Sequence, residues 1–179
     1  EAKVIADPSI TVQPTGGVIC IGGTRSLSVT ATGGTPSLTY QWFSSTDNSA
    51  FMAISGATSA TFTTPILTQT TYYRVEVSAS GNGCNTITSA SAEVLVIPDP
   101  QITTQPVGNT ICPDATHTMS VVATTTNSLA GALTYQWESS VNGTSGWTNV
   151  SGGTGANTAS YTTGVSTSNL SYRVRIRQS

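Results

Sequence analysis

Charge is what this chain has least of. Its 179 residues include 6 Lys or Arg, 8 Asp or Glu and one His, for a net charge of −2. Binding to phosphate backbones draws on clustered Lys and Arg, so nucleic acid is excluded as a partner class. Disordered chains combine high charge with few apolar residues, whereas 37% of this chain is hydrophobic, enough for small cores. No apolar run approaches the roughly 20 residues of a membrane helix, and no secretory leader is recognisable. No stretch keeps a helical period. Thr, Ser and Gly supply the polarity instead. Short alternating runs of Val, Ile, Thr and Tyr, separated by Gly, Pro and Ser, predict an all-β chain.

The chain repeats itself. LTYQW occurs at Leu38–Trp42 and again at Leu133–Trp137. ITVQP from Ile10 matches ITTQP from Ile102, Cys20 matches Cys112, and TRSLSVTAT from Thr24 matches THTMSVVAT from Thr116, all 92 positions apart. The LTYQW copies lie 95 apart, while ATFTT/ASYTT and TYYRVEV/LSYRVRI lie 99 apart. The offset grows only in turn-rich stretches, where loops vary and strands do not. The phase of the repeat is informative too. EAKVIADPSI at the start aligns with EVLVIPDPQI at Glu93–Ile102. Residues 1–6 therefore read as the last strand of a preceding repeat, 7–98 as a first repeat, and 99–179 as a second one that stops before its last strand. The expectation is a piece of a longer array. An incomplete second repeat leaves a strand edge unpaired. Glu1–Ala6 of another molecule has the sequence to complete it, in head-to-tail strand exchange.

In the first repeat strands are expected near Ile10–Gln13, Val18–Ile21, Arg25–Ala31, Leu38–Phe43, Thr61–Thr64, Tyr72–Ser78 and Ala92–Ile97. Seven strands in about 90 residues is the density of an immunoglobulin-like sandwich. Alternation puts Leu38, Tyr40 and Trp42 on one strand face. Trp42 and Trp137 then occupy the place where such sandwiches keep a core Trp, and Tyr73 and Tyr172 stand at the tyrosine-corner position. Val29 with Val75, and Val121 with Val174, replace the usual core cysteines.

Candidate chemistry is thin. The acids are scattered, so no carboxylate pair is set up for glycoside cleavage. His117 aligns with Arg25 at a strand edge and is expected to face solvent, and no nucleophile-elbow motif is present. No catalytic residue, metal ligand or cofactor is predicted. Asp7 and Asp99 recur before prolines and read as turn formers. Arg173, Arg175 and Arg177 share one face of their strand, opposite Tyr172, Val174 and Ile176. They form a basic stripe that could contact acidic polysaccharide, or a solvated sheet face in which Glu138 pairs an arginine. Phe43, outward by parity, is a further contact candidate.

I-C-x-G before a strand, TYQW, ISGATSATFTT, TYYRVEV and G-x-G-C together resemble the tandem immunoglobulin-like repeats of large Bacteroidota surface adhesins, such as those of the SprB gliding-adhesin type. The resemblance covers nearly the whole chain. It implies export by the type IX pathway, an extracellular place on the bacterial cell surface, and an adhesive or stalk role, with gliding motility one setting. Similar repeats also serve as spacers or carbohydrate-binding regions in secreted multimodular enzymes that degrade polysaccharides. The implied partners are neighbouring repeats of the same chain, polysaccharides and surfaces. Three cysteines in a Lys-poor, Thr/Ser-rich chain fit a secreted protein with disulfides. The family's repeats carry counterparts of both Cys20 and Cys84, which suggests a bridge within the repeat and leaves Cys112 unpaired. In a strict immunoglobulin topology those two turns lie at opposite poles, so a staple between neighbouring repeats is the rival reading.

Overall fold

The computed structural model describes residues 6–80, 85–125 and 131–178. The chain divides into two compact units, Glu1–Ile97 and Pro98–Ser179. Both are all-β.

Unit 1 contains β1 (Ser9–Val12), β2 (Gly17–Cys20), β3 (Ser26–Ser28), β4 (Thr30–Thr32), β5 (Leu38–Ser45), β6 (Met52–Ala53), β7 (Thr61–Thr63), β8 (Thr71–Ala79), β9 (Ile87–Thr88) and β10 (Ala92–Ile97). One layer is a sheet in the order β2-β10-β8-β5-β6, with β9 also on β8. The facing layer is made of the pairs β1-β4 and β3-β7. The run expected as one strand, Arg25–Ala31, is two short strands with different partners. β3 pairs with β7 and β4 with β1. Between them Val29 is buried, and its amide donates to the Ala60 carbonyl at 2.9 Å.

Alternation along β5 turns Trp42 fully inward, with Leu38 and Tyr40 packed beside the same core. Leu27 and Val29 from one layer meet Trp42, Tyr73, Val75, Val77, Val94 and Val96 from the other. Burying an indole removes on the order of 200 Å² from water, worth about 5 kcal/mol. Its N–H must also find an acceptor, and Trp42 Nε1 donates to the Ser59 carbonyl at 2.9 Å. Val29 and Val75 pack where a core disulfide would stand, as the sequence predicts.

Unit 2 repeats this plan with β11 (Gln101–Thr104), β12 (Thr118–Ser120), β13 (Val122–Thr124), β14 (Leu133–Ser140), β15 (Thr148–Asn149), β16 (Ser160–Thr162) and β17 (Ser171–Gln178). One layer is the sheet β15-β14-β17, and the pairs β11-β13 and β12-β16 form the other. Trp137 is fully buried and donates from Nε1 to the Thr158 carbonyl at 2.9 Å, the same tie as in unit 1. Its ring lies 5.9 Å from that of Tyr161, as Trp42 lies 5.8 Å from Phe62.

Among the described residues unit 2 has no counterpart of β2, β9 or β10, and β17, the counterpart of β8, differs in burial. β8 in unit 1 buries Tyr73, Val75 and Val77. The counterparts on β17, Tyr172, Val174 and Ile176, are only half-buried. β17 pairs with β14 along its whole length. Among the described residues nothing pairs with its other edge, the side that β10 and β9 occupy on β8. Of Glu1–Ala6, expected to be a strand, only Ala6 falls within the described residues. Its carbonyl accepts the Gly34 amide at 2.9 Å.

Candidate interaction site

The outer face of β17 carries the arginines. Register sets Arg173 across from Glu138, Arg175 across from Gln136 and Arg177 across from Thr134. Glu138 receives Arg173 Nε at 2.6 Å and Arg175 at 3.4 Å. The Arg173 hydrogen bond holds the Glu138 carboxyl below its ordinary range, against the opposing effect of its burial. Arg173 also lies 4.4 Å over the Trp147 ring. Such a cation over an aromatic face is an attractive contact in its own right. The three candidate contacts are therefore unequal. Arg173 is engaged on two sides, Arg175 in part, and Arg177 forms no ion pair among the described residues. Beside Arg175 and Arg177 a shallow groove of about 270 Å³ is lined also by Thr134, Tyr135, Gln136 and Asn149. Amides, a phenol edge and guanidinium donors in one groove suit hydroxyl- and carboxylate-bearing ligands.

Unit 1 builds a related stack. Arg74 lies 4.4 Å over the Phe51 ring and 5.6 Å from the Phe43 ring. Phe43, expected to point outward as a contact residue, is half-buried with its ring engaged by Arg74. Sequence reasoning passed over Phe51 and Trp147, the aromatics that meet Arg74 and Arg173. Their signal was their matching place in the loop after the LTYQW strand of each repeat.

Those loops share another device. Ser45 Oγ donates to Asp47 Oδ1 at 2.7 Å, and the same oxygen accepts the amides of Ser49 and Ala50. Three donors on one carboxylate lower its pKa to about 2, the Ser45 hydroxyl contributing most. In unit 2 Ser140 and Asn142 repeat the pattern, with Asn142 Oδ1 accepting the amides of Thr144 and Ser145.

Inside unit 2 lies a cavity of about 400 Å³, lined among others by Asn109, Ile111, His117, Met119, Leu170 and Tyr172. The corresponding space in unit 1 is filled by β10, which runs parallel to β2 and antiparallel to β8. Glycine marks the fit. A Cβ on Gly16 would stand 1.8 Å from the Glu93 carbonyl oxygen of the chain entering β10, but one on Gly108, its counterpart, would meet nothing within 4 Å. His117 is not the solvent-facing residue expected. It is half-buried at the wall of this cavity, with Nε2 3.0 Å from the Val107 carbonyl. Arg25 does the same work in unit 1, donating to the Gly16 carbonyl at 2.9 Å.

Cys20 and Cys112 are exposed and unpaired. Cys84 lies outside the described residues. The expected pairing of Cys20 with Cys84 therefore falls outside the described residues. Register places Cys20 beside Ile97, past the Thr71 end of β8. Asp7, read as a turn former, makes a long-range tie, its carboxylate accepting Asn85 N at 3.0 Å and Asn85 Nδ2 at 2.8 Å. Those two bonds, the backbone one first, lower its pKa. Among the described residues no three His, Cys, Asp or Glu side chains are grouped to hold a metal ion. No helix is long and apolar enough to cross a membrane.

Comparison with solved structures places the fold. The three N-terminal domains of the bacteriophage RB49 Highly Immunogenic Outer Capsid protein (Hoc) are similar at 14% identity and a TM-score of 0.58, over 96% of this chain and 62% of that one. A three-immunoglobulin-domain fragment of titin is similar at 13% identity and 0.53, over 98% and 65%. The chain spans less than two thirds of either structure, and at this identity the likeness shows the immunoglobulin-like fold alone. A search of the curated proteins found no match. The family model described as "Domain of unknown function (DUF8696)" matches residues 10–98 and 103–179, one match on each repeat. The chain belongs to that family, and it carries the domain twice in succession as two immunoglobulin-like β-sandwiches.

Proposed function

We propose that this chain is a non-enzymatic segment of a long extracellular bacterial surface protein, of the gliding-adhesin kind, whose repeats act as weak adhesive units. The observation that carries the reading is repetition. The same Trp-centred core, with the same indole-to-carbonyl tie, is built twice in one chain. Each repeat builds its own Trp-centred core, and stringing such beads multiplies weak contacts into avidity without any single strong site. The groove beside Arg175 and Arg177 supplies contact chemistry suited to acidic polysaccharide.

The test is binding to a panel of acidic and neutral polysaccharides and to abiotic surfaces, with the chain monomeric and displayed in many copies. Binding to acidic polysaccharide is expected only on multivalent display, and it is expected to fall when Arg175 and Arg177 are replaced by Ala. Binding to neutral glycans that ignores both arginines would favour carbohydrate-binding modules of a secreted enzyme. No binding in either format would leave the repeats as spacers.

A further inference from the structure

The two units set an arginine at the same point of the same sheet and satisfy it differently. We propose that unit 1 carries its own ligand site, in which Arg74 takes the carboxylate of an acidic sugar supplied from outside the chain. The ligand class rests on the adhesive reading, while the site itself rests on the contrast between the two units.

Arg74 on β8 and Arg173 on β17 are counterparts, and each guanidinium lies 4.4 Å over a ring from the loop after the LTYQW strand, Phe51 or Trp147. Across the sheet Arg173 faces Glu138, and its Nε donates to that carboxylate at 2.6 Å. Arg74 faces Phe43, which has no carboxylate to give. The Arg74 Nε is buried without a hydrogen-bond partner, and the side chain forms no ion pair among the described residues. Its guanidinium keeps its charge at any ordinary pH and can only donate. The two rings attract the cation through their π faces but leave its in-plane donors unmet. Unit 2 shows the complement such a group takes, a carboxylate at hydrogen-bond distance. In unit 1 that carboxylate has to come from elsewhere. It would reach the terminal amino groups, since Arg74 is partly exposed and only its Nε is covered.

The surroundings favour a sugar acid over an acidic peptide. Gln41 and Glu76 pair across the sheet on the face that carries Phe43 and Arg74. The Gln41 amide nitrogen donates to the Trp42 and Ile54 carbonyls at 2.8 Å each, which leaves its oxygen as an acceptor. Glu76 forms no ion pair among the described residues and adds two more acceptor oxygens. A uronic acid carries one carboxylate and several hydroxyls, which matches one donor group flanked by acceptors. An acidic peptide brings carboxylates without hydroxyls, and Glu76 would repel them.

The test displays the chain in many copies on beads, with polygalacturonate as the probe. Arg175→Ala with Arg177→Ala serves as the background, so that the groove of unit 2 is silent. Residual binding is expected, and adding Arg74→Gln should weaken it about fivefold or more. Phe43→Glu gives Arg74 an internal carboxylate, as in unit 2, and should weaken the residual binding as much with the arginine still present. In the unaltered chain, excess trigalacturonate should shift the Arg74 Nε–H resonance and leave that of Arg173 in place. This measurement carries the test if a variant fails to fold. The fully methyl-esterified polymer, with the same rings and no free carboxylate, should not compete. If the unaltered chain ignores polygalacturonate in every format, the adhesive reading falls and this site with it. Residual binding indifferent to both substitutions, or an Arg74 resonance that stays put, would overturn the site and leave that reading standing. Poly-L-glutamate that binds as well and moves the same resonance would overturn the sugar in favour of an acidic peptide.

Discussion

Glu138 on β14 faces Arg173 on β17, carboxylate to guanidinium at 2.6 Å, while that guanidinium also lies over the Trp147 ring. The arginine is a bridge between a half-open sheet face and the loop that carries the tryptophan. With its pKa held below the ordinary 4.5, Glu138 favours the folded state once ionised. That contribution is complete above the unfolded-state pKa and is lost as the pH falls through the lower, folded value. Urea unfolding of unit 2, followed by Trp fluorescence, should therefore show stability declining on the acid side. Glu138→Gln should flatten that decline and leave unit 1 unchanged. An unaltered acid profile in the variant would remove Glu138 from the account.

The Trp–carbonyl ties separate volume from hydrogen bonding. Trp42→Ala should cost unit 1 about 3–5 kcal/mol, the usual range for emptying an aromatic core site. Trp42→Phe keeps most of the ring but leaves the Ser59 carbonyl without its donor, and should cost about 1–3 kcal/mol. Differential calorimetry with Trp137 intact reads both against an internal standard, because the second transition should not move.

Gly16 and Gly108 make a matched pair of opposite sign. Gly16→Ala drives a Cβ to 1.8 Å from the Glu93 carbonyl oxygen. It should lower the stability of unit 1 by about 1–3 kcal/mol or more, the range for overpacking. Gly108→Ala meets open space and should leave the melt of unit 2 within about 0.5 kcal/mol of the parent. Equal effects at both positions would contradict the difference between the two units.

Because Cys20 is exposed and unpaired, Cys20→Ser should leave unit 1 within about 0.5 kcal/mol of the parent. Removal of a native disulfide would typically cost 2–5 kcal/mol. The parent's Cys20 should also react with maleimide without denaturant, which peptide mass mapping would show.

Much of the fold was legible because the repeat reports its own strands. Where loops lengthen, the offset changes, and where strands run, it holds. Trp42, Trp137 and the valine pairs could be assigned from alternation alone, since a two-residue period fixes which side chains turn inward. Other features escaped because they depend on partners remote in sequence. Val29 interrupts a run that looks continuous, and only the two strands pairing on either side of it reveal the break. β6 and β9 have two residues each and show no period. Phe43 was read by parity as a free contact, but parity says nothing of Arg74 on the neighbouring strand. His117 looked like a surface residue until the Val107 carbonyl came into view.

The parallel pairing of β2 with β10 has a mechanical meaning. The chain enters unit 1 at the pole where Asp7 grips Asn85 and leaves beyond Ile97 at the other pole. Tension between those points pulls β2 and β10 past each other lengthwise. Their ladder pairs, from Val94–Gly17 to Ile97–Cys20, would then share the load and yield together, rather than unzipping one by one. The parallel register of β2 and β10 thus makes the exit of unit 1 a ladder that is loaded in shear when the unit is pulled from both ends.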